Sequence, residues 1–268
     1  MPFAKEKHQP SIYYETIGKG TPIIFIPPPG VGHLTFRYQV TLMDVCKVIT
    51  FDIRGDCRSG RSSEPMTMTQ LAYDVKRVLD ANQVDKAIIC GYSNGAYIAQ
   101  EFAFIYPERT AGVILMGGYF AVRSFLLEKE YQIGVWAAKN ELMTLLAAAL
   151  AKSHFSDNQH MKELYSEIIR TDPQMLANQY HLGLHYSSAD RLQQIKVPLL
   201  LIYGAEDYYI QSYQYLFRKV VRDIEVVYIQ GTKHQVPTKA PYECNALIRN
   251  WMTRKKLIKP YKTVKKRM

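Results

Sequence analysis

Lys86-Ala87-Ile88-Ile89-Cys90-Gly91-Tyr92-Ser93-Asn94-Gly95-Ala96 is the stretch that decides how this chain reads. The apolar run from Ile88 to Cys90 has strand length. It ends in Gly-x-Ser-x-Gly and opens a helical pattern, Ala96 to Tyr106, that Pro107 stops. A strand that reverses into a helix within one residue puts Ser93 in a strained backbone conformation with its hydroxyl presented at the turn. Glycine at 91 and 95 leaves room for that close approach. A short Ser/Gly pattern of this kind also caps ordinary helices, so the serine needs partners elsewhere in the chain.

A nucleophilic serine requires a base to take its proton and a carboxylate to orient that base. The apolar run Val197 to Tyr203 breaks at Gly204 and exposes Glu206 and Asp207. The run from Ile224 to Ile229 is followed by Gly231 and then His234. Acid and base each lie just past a strand end, the edge where open α/β sheets place their sites. The spacing therefore nominates Ser93, Asp207 and His234 as catalytic residues, with Glu206 as the alternative acid.

On these residues the chain resembles the α/β-hydrolase family, whose triad runs in the order Ser, Asp/Glu, His. The resemblance spans about Ser11 to Met252. Asp52-Ile53-Arg54-Gly55-Asp56-Cys57-Arg58-Ser59 is similar to the family's D-x-R-G-x-G-x-S segment, with Cys57 where a second glycine is usual. The resemblance implies a mostly parallel sheet with helices on both faces and an inserted helical cap. Core segments are expected at 1–118 and 191–253, the cap at 119–190, and a basic tail at 254–268. It also implies that Asn94 N–H binds the oxyanion. The second donor is less obvious, because Pro27-Pro28-Pro29 occupies the place of the family's His-Gly-x and proline has no N–H. Gly30 or Val31 is expected to supply it, with the His33 side chain as a further option.

Coarse patterning agrees with the strand–helix alternation. Strands are expected at Ile12–Thr16, Ile23–Ile26, Val48–Asp52 and Gly112–Met116, and helices at Phe36–Val45 and Thr69–Asn82. Between Gly118 and Asp190 the alternation stops, and helical patterns rich in aromatics follow; two or three of those aromatics are expected to line a pocket. His181 and His185 share a helix face, but no third ligand is evident, so no metal site is expected. His154 and His160 read as solvated loop residues.

The 268 residues are 47% hydrophobic, enough for one sizeable core. The net charge of +10 comes from 34 basic and 24 acidic residues, and eight of the basic ones fall between Arg254 and Met268. The body is thus 26 against 24, so no specific nucleic-acid partner is expected. Neither a leader nor a membrane-length apolar run is visible. Four cysteines without pairing or metal spacing fit a reduced, cytoplasmic setting. The expected activity is hydrolysis of a small or medium apolar acyl ester, lactone or thioester, with no cofactor. Two alternatives stay open: a small-molecule sensor of the same fold with slow turnover, and a cofactor-free C–C hydrolase or oxygenase. A homo-oligomer also stays open.

Overall fold

The computed structural model describes residues 2–258; positions 259–268 of the basic tail lie outside the described residues. Eight strands form one sheet: β1 (Phe3–Ala4), β2 (Ile12–Ile17), β3 (Thr21–Ile26), β4 (Cys46–Phe51), β5 (Ala87–Tyr92), β6 (Thr110–Met116), β7 (Leu199–Gly204) and β8 (Ile224–Ile229). Their spatial order is β1-β2-β4-β3-β5-β6-β7-β8. The first two pairings, β1 with β2 and β2 with β4, are antiparallel, and the remaining ones are parallel.

The parallel strands are apolar on both faces because both are covered. Ile24, Ile26, Ile89, Val113, Leu115 and Leu201 point to one core, shared with α1 (Met68–Ala81) and α2 (Gly95–Ile105). Their neighbours Ile23, Phe25, Ile88, Cys90, Ile114 and Ile202 point to the other, which buries Trp251 and Met252. Helix α1 begins at a capping box in which Thr67 Oγ1 accepts from Gln70 N–H and the Gln70 side chain accepts from Thr67 N–H.

The chain leaves the β4 side of β3 and resumes on its other side as β5. The loops after β3 and β5 therefore diverge and open a crevice at their carboxyl ends, where ligands bind in such sheets. Four helices between β6 and β7 run beside this crevice: α3 (Phe125–Lys139), α4 (Met143–His154), α5 (Asn158–Ile168) and α6 (Pro173–His185). Short α7 (Tyr208–Gln211) follows β7, then α8 (Gln214–Val220). After β8 come α9 (Val236–Lys239) and α10 (Pro241–Arg254). Arg254 and Lys255 pair with Glu225, and Lys255 also with Asp223, so the described start of the tail is tied to the sheet's last strand.

One detail corrects the sequence reading, and another shows how Cys57 is accommodated. The segment expected as a helix at Phe36–Val45 is instead two 3-10 stretches, His33–Phe36 and Gln39–Asp44. Tight i→i+3 bonds (Arg37 N–H to Leu34 O, Val45 N–H to Leu42 O) flatten it. The buried Gln39 amide, donating to Pro237 O and Asn245 Oδ1, anchors it to α9 and α10. Cys57, standing where glycine is usual, keeps the left-handed backbone with φ of 45°. Its cost is met by Cys57 N–H donating to Thr171 Oγ1 at 3.0 Å.

Candidate active site

Ser93 follows β5 directly and has φ of 53°, the strained turn expected for that motif. Its N–H donates to Met116 O at 2.8 Å, tying the turn to β6. Glycine is needed at 95 because a Cβ there would sit 2.3 Å from Ile26 O and 2.8 Å from Pro27 O. The start of α2 thus presses directly on the end of β3.

Three side chains from three strand ends meet here. His234 Nε2 lies 2.8 Å from Ser93 Oγ, and His234 Nδ1 lies 2.7 Å from Asp207 Oδ2. Asp207 is buried and can only accept, so Nδ1 carries the proton and Nε2 is left to accept the serine hydroxyl. Glu206, the alternative acid, is exposed and makes no hydrogen bond to His234. Gly117 is close enough that a Cβ would touch the His234 ring at 2.8 Å, so β6 backs the imidazole.

The loop after β3 separates the candidate oxyanion donors. Gly30 N–H donates to Asp56 Oδ2 at 2.8 Å, and so is already taken. Val31 N–H and Asn94 N–H meet no acceptor among the described residues, and both residues line the cavity beside Ser93. His33 is not a donor here. It is buried with Nδ1 2.7 Å from Asp52 Oδ1, and the other ring nitrogen faces Glu15. Burial opposes its protonation, but the Asp52 carboxylate prevails and holds the pKa above the ordinary value.

The sequence assigns Asp56 no role beyond its place in the segment similar to D-x-R-G-x-G-x-S. It is completely buried, accepting from Gly30 N–H and from Gln179 Nε2 at 2.8 Å. Burial pushes its pKa up to about 8 against the pull of those two hydrogen bonds.

Above Ser93 lies a cavity of about 310 Å³, lined by Pro28, Pro29 and Val31 on one side and by α3, α4 and α6 on the other. Leu127, Ile133, Leu146 and Leu150 make its walls mainly apolar. Of the aromatics between Tyr119 and Tyr186, the cavity is lined by Tyr119, Tyr131 and Tyr180, while Phe125 and Trp136 face solvent. Asn94 Nδ2 donates to Tyr131 OH at 2.7 Å, and Tyr131 OH is 2.8 Å from Tyr119 OH. Gly183 on α6 allows this, since a Cβ there would meet Asn94 Nδ2 at 2.4 Å.

Two histidines depart from their expected setting. His154 is buried at the end of α4 and lines the cavity, and His160 sits on α5 with Nδ1 3.0 Å from Tyr38 OH. The polar run Lys152-Ser153-His154 reads as a loop because its burial comes from distant partners: α4 packs on α5 and Val31, and the His154 ring lies edge-on to Tyr92 at the end of β5. His181 and His185 stack at 4.5 Å on α6, and no group of three metal-ligating side chains occurs among the described residues.

The family model described as serine aminopeptidase, S33, matches residues 44–239. RutD of Azorhizobium caulinodans, named as a candidate carbamate hydrolase, is 26% identical over 272 residues, covering 92% of this chain and 97% of that protein. The 3-oxoadipate enol-lactonase 2 of Acinetobacter baylyi is 25% identical over 211 residues, 74% of this chain and 76% of its own. Among solved structures, the enol-lactonase of Burkholderia xenovorans superposes with a TM-score of 0.83 at 20% identity. That superposition covers 94% of this chain and all of the other, and is a likeness of fold.

Proposed function

The chain belongs to the α/β-hydrolase family and is an enzyme of that type, and from this premise we propose that it is a serine hydrolase cleaving a small or medium apolar acyl ester, lactone or thioester. The observation that supports this most is the chain of contacts from Ser93 Oγ through His234 to Asp207, at 2.8 and 2.7 Å. In this reading Ser93 Oγ attacks the carbonyl carbon while its proton passes to His234 Nε2. Asp207 stabilises the imidazolium through Nδ1. The N–H groups of Asn94 and Val31 take up the negative charge on the carbonyl oxygen. His234 then protonates the departing alcohol or thiol, leaving an acyl-serine. A water that gives its proton to Nε2 attacks this acyl group, and Ser93 leaves with that proton.

Residues 119–190 act as a cap over the core formed by 1–118 and 191–253, and their apolar cavity wall favours apolar acyl groups. The relatives named for carbamate and enol-lactone hydrolysis support a small substrate with a scissile acyl bond. Among the described residues no helix is long and apolar enough to cross a membrane; we assign the enzyme to the cytoplasm. The test is labelling with a fluorophosphonate, followed by an acyl-chain series of p-nitrophenyl esters. Ser93→Ala is expected to abolish the label and lower kcat by about 10⁴ or more. Labelling retained at another serine refutes the reading. Tight binding of esters with no turnover favours the sensor instead.

A further inference from the structure

Among the polar side chains of the cavity wall to which the proposed hydrolysis gives no part, His154 is distinguished by an unpartnered buried ring nitrogen. His154 is 4% exposed and shares the cavity with Ser93 and His234. Its Nδ1 lies 2.8 Å from Leu150 O, one turn back in the same helix, and 3.1 Å from Ser153 Oγ. A carbonyl oxygen only accepts, so Nδ1 carries the ring proton and Nε2 carries the lone pair. The Nδ1 edge faces its own helix, which turns Nε2 away from α4. Nε2 is buried and has no hydrogen-bond partner among the described residues.

A buried acceptor without a donor costs free energy, and in a binding cavity the natural source of the donor is the ligand. Among the described residues no other side chain of the cavity hydrogen-bonds to His154 Nε2, Tyr180 and Gln235 included. Tyr131 and Tyr119 are engaged with each other and with Asn94, and Tyr209 OH donates to Glu130. Burial, reinforced by His234 and Lys239, pushes His154 down to about 4. The ring is therefore neutral at ordinary pH. It offers a lone pair and no second proton, and it competes poorly with His234 as a base.

We propose that His154 determines specificity: its Nε2 accepts a hydrogen bond from an N–H or O–H on the acyl portion of the substrate. The preferred substrates are then mainly apolar acyl groups that carry one amide, carbamate or hydroxyl donor, ahead of the same chains without it. This assignment rests on the serine-hydrolase reading. A site built to pair with such a donor discriminates against the analogue that lacks it, because the buried acceptor is then desolvated for nothing.

The experiment compares p-nitrophenyl esters that differ only by NH against CH₂. One pair is N-acetylglycinate and levulinate; the other, one methylene longer, is N-acetyl-β-alaninate and 5-oxohexanoate. Each kcat/KM is divided by the ester's alkaline hydrolysis rate, which removes intrinsic reactivity. In the wild type the NH member of at least one pair is expected to lead by about tenfold or more. The ratio within a pair is expected to fall below about threefold in His154→Phe, and to recover in part in His154→Gln, which carries an acceptor at similar reach. Ratios below threefold for both pairs in the wild type overturn the proposal, as does an unchanged preference in His154→Phe. If His154→Phe does not fold, the wild-type ratios and His154→Gln decide. A wild type that turns over none of the four esters and takes no fluorophosphonate label overturns the hydrolase reading, and this proposal with it. Turnover without preference overturns this proposal alone.

Discussion

Replacing Asp56 by Asn is expected to change how stability depends on pH, by an amount that follows from its burial. Asp56 is enclosed between the loop at Gly30 and Gln179 of α6, and no basic side chain pairs with it among the described residues. Its pKa, about 8 in the folded protein, starts from an ordinary value of 3.8. Between those two values the native state holds one proton more than the unfolded chain. Stability therefore falls with rising pH, by about 1.4 kcal/mol per unit. The contribution is complete below the unfolded pKa and is lost as the pH climbs through about 8. From pH 5 to pH 8 the loss is about 4 kcal/mol for this one group. A protonated Asp56 also needs an acceptor. Gln179 Oε1, which has no partner among the described residues, supplies one once its amide turns over. Asparagine keeps the volume and does not ionise. Urea denaturation at pH 5, 6, 7 and 8, followed by fluorescence of buried Trp251 and exposed Trp136, reads both proteins directly. The stability of Asp56→Asn relative to wild type is expected to rise by about 4 kcal/mol across that range and level off above it. A difference constant to within about 1 kcal/mol refutes a protonated Asp56.

Three further outcomes are expected. Asp207→Asn should lower kcat by about 10⁴ with the fold intact, while Glu206→Gln, exposed and unconnected to His234, should stay within about twofold of wild type in ester kinetics. Gly95→Ala forces a Cβ against the carbonyls of Ile26 and Pro27 and should cost about 3 kcal/mol, seen as a melting temperature lower by about 6–12 °C. Pro29→Gly loosens the loop that presents Val31 N–H and should reduce kcat several-fold, with KM for a short ester little changed; a rise of tenfold or more would mean the native loop withholds a donor.

What the sequence made legible were features set by short-range chemistry. The turn at Ser93 demands glycine on both sides, the strand before Asp207 is a continuous apolar run that ends at glycine, and the strand before His234 is apolar but for Glu225, with Gly231 two residues past its end. Each of these can be read within a dozen residues. Less legible were features that distant partners decide. Apolar spacing in Phe36–Val45 fits 3.0 residues per turn almost as well as 3.6, and the buried Gln39 contact to Asn245 selects the tighter form. The choice between Gly30 and Val31 depends on where the carboxylate of Asp56 lies, and that is set by α6 through Gln179. Strand β1 has two residues, too few for any periodicity to show.

The helices from Phe125 to His185 form one uninterrupted piece of chain, whereas Ser93, Asp207 and His234 all hang from the ends of β5, β7 and β8. On the proposed reading, chemistry and much of the selectivity are thus written in separable stretches of gene. A graft that exchanged residues 125–185 for the corresponding stretch of another such protein would carry a new cavity wall onto an undisturbed nucleophile. The ties that would have to survive the exchange include Tyr131 and Gly183 against Asn94, Gln179 against Asp56, Thr171 against Cys57, and the ion pairs of Glu163 with Arg37 and of Glu167 with Arg58. Mutational drift at Leu127, Ile133 or Leu146 can reshape what is accepted without touching how the bond is cut, so this architecture lets appetite change faster than mechanism.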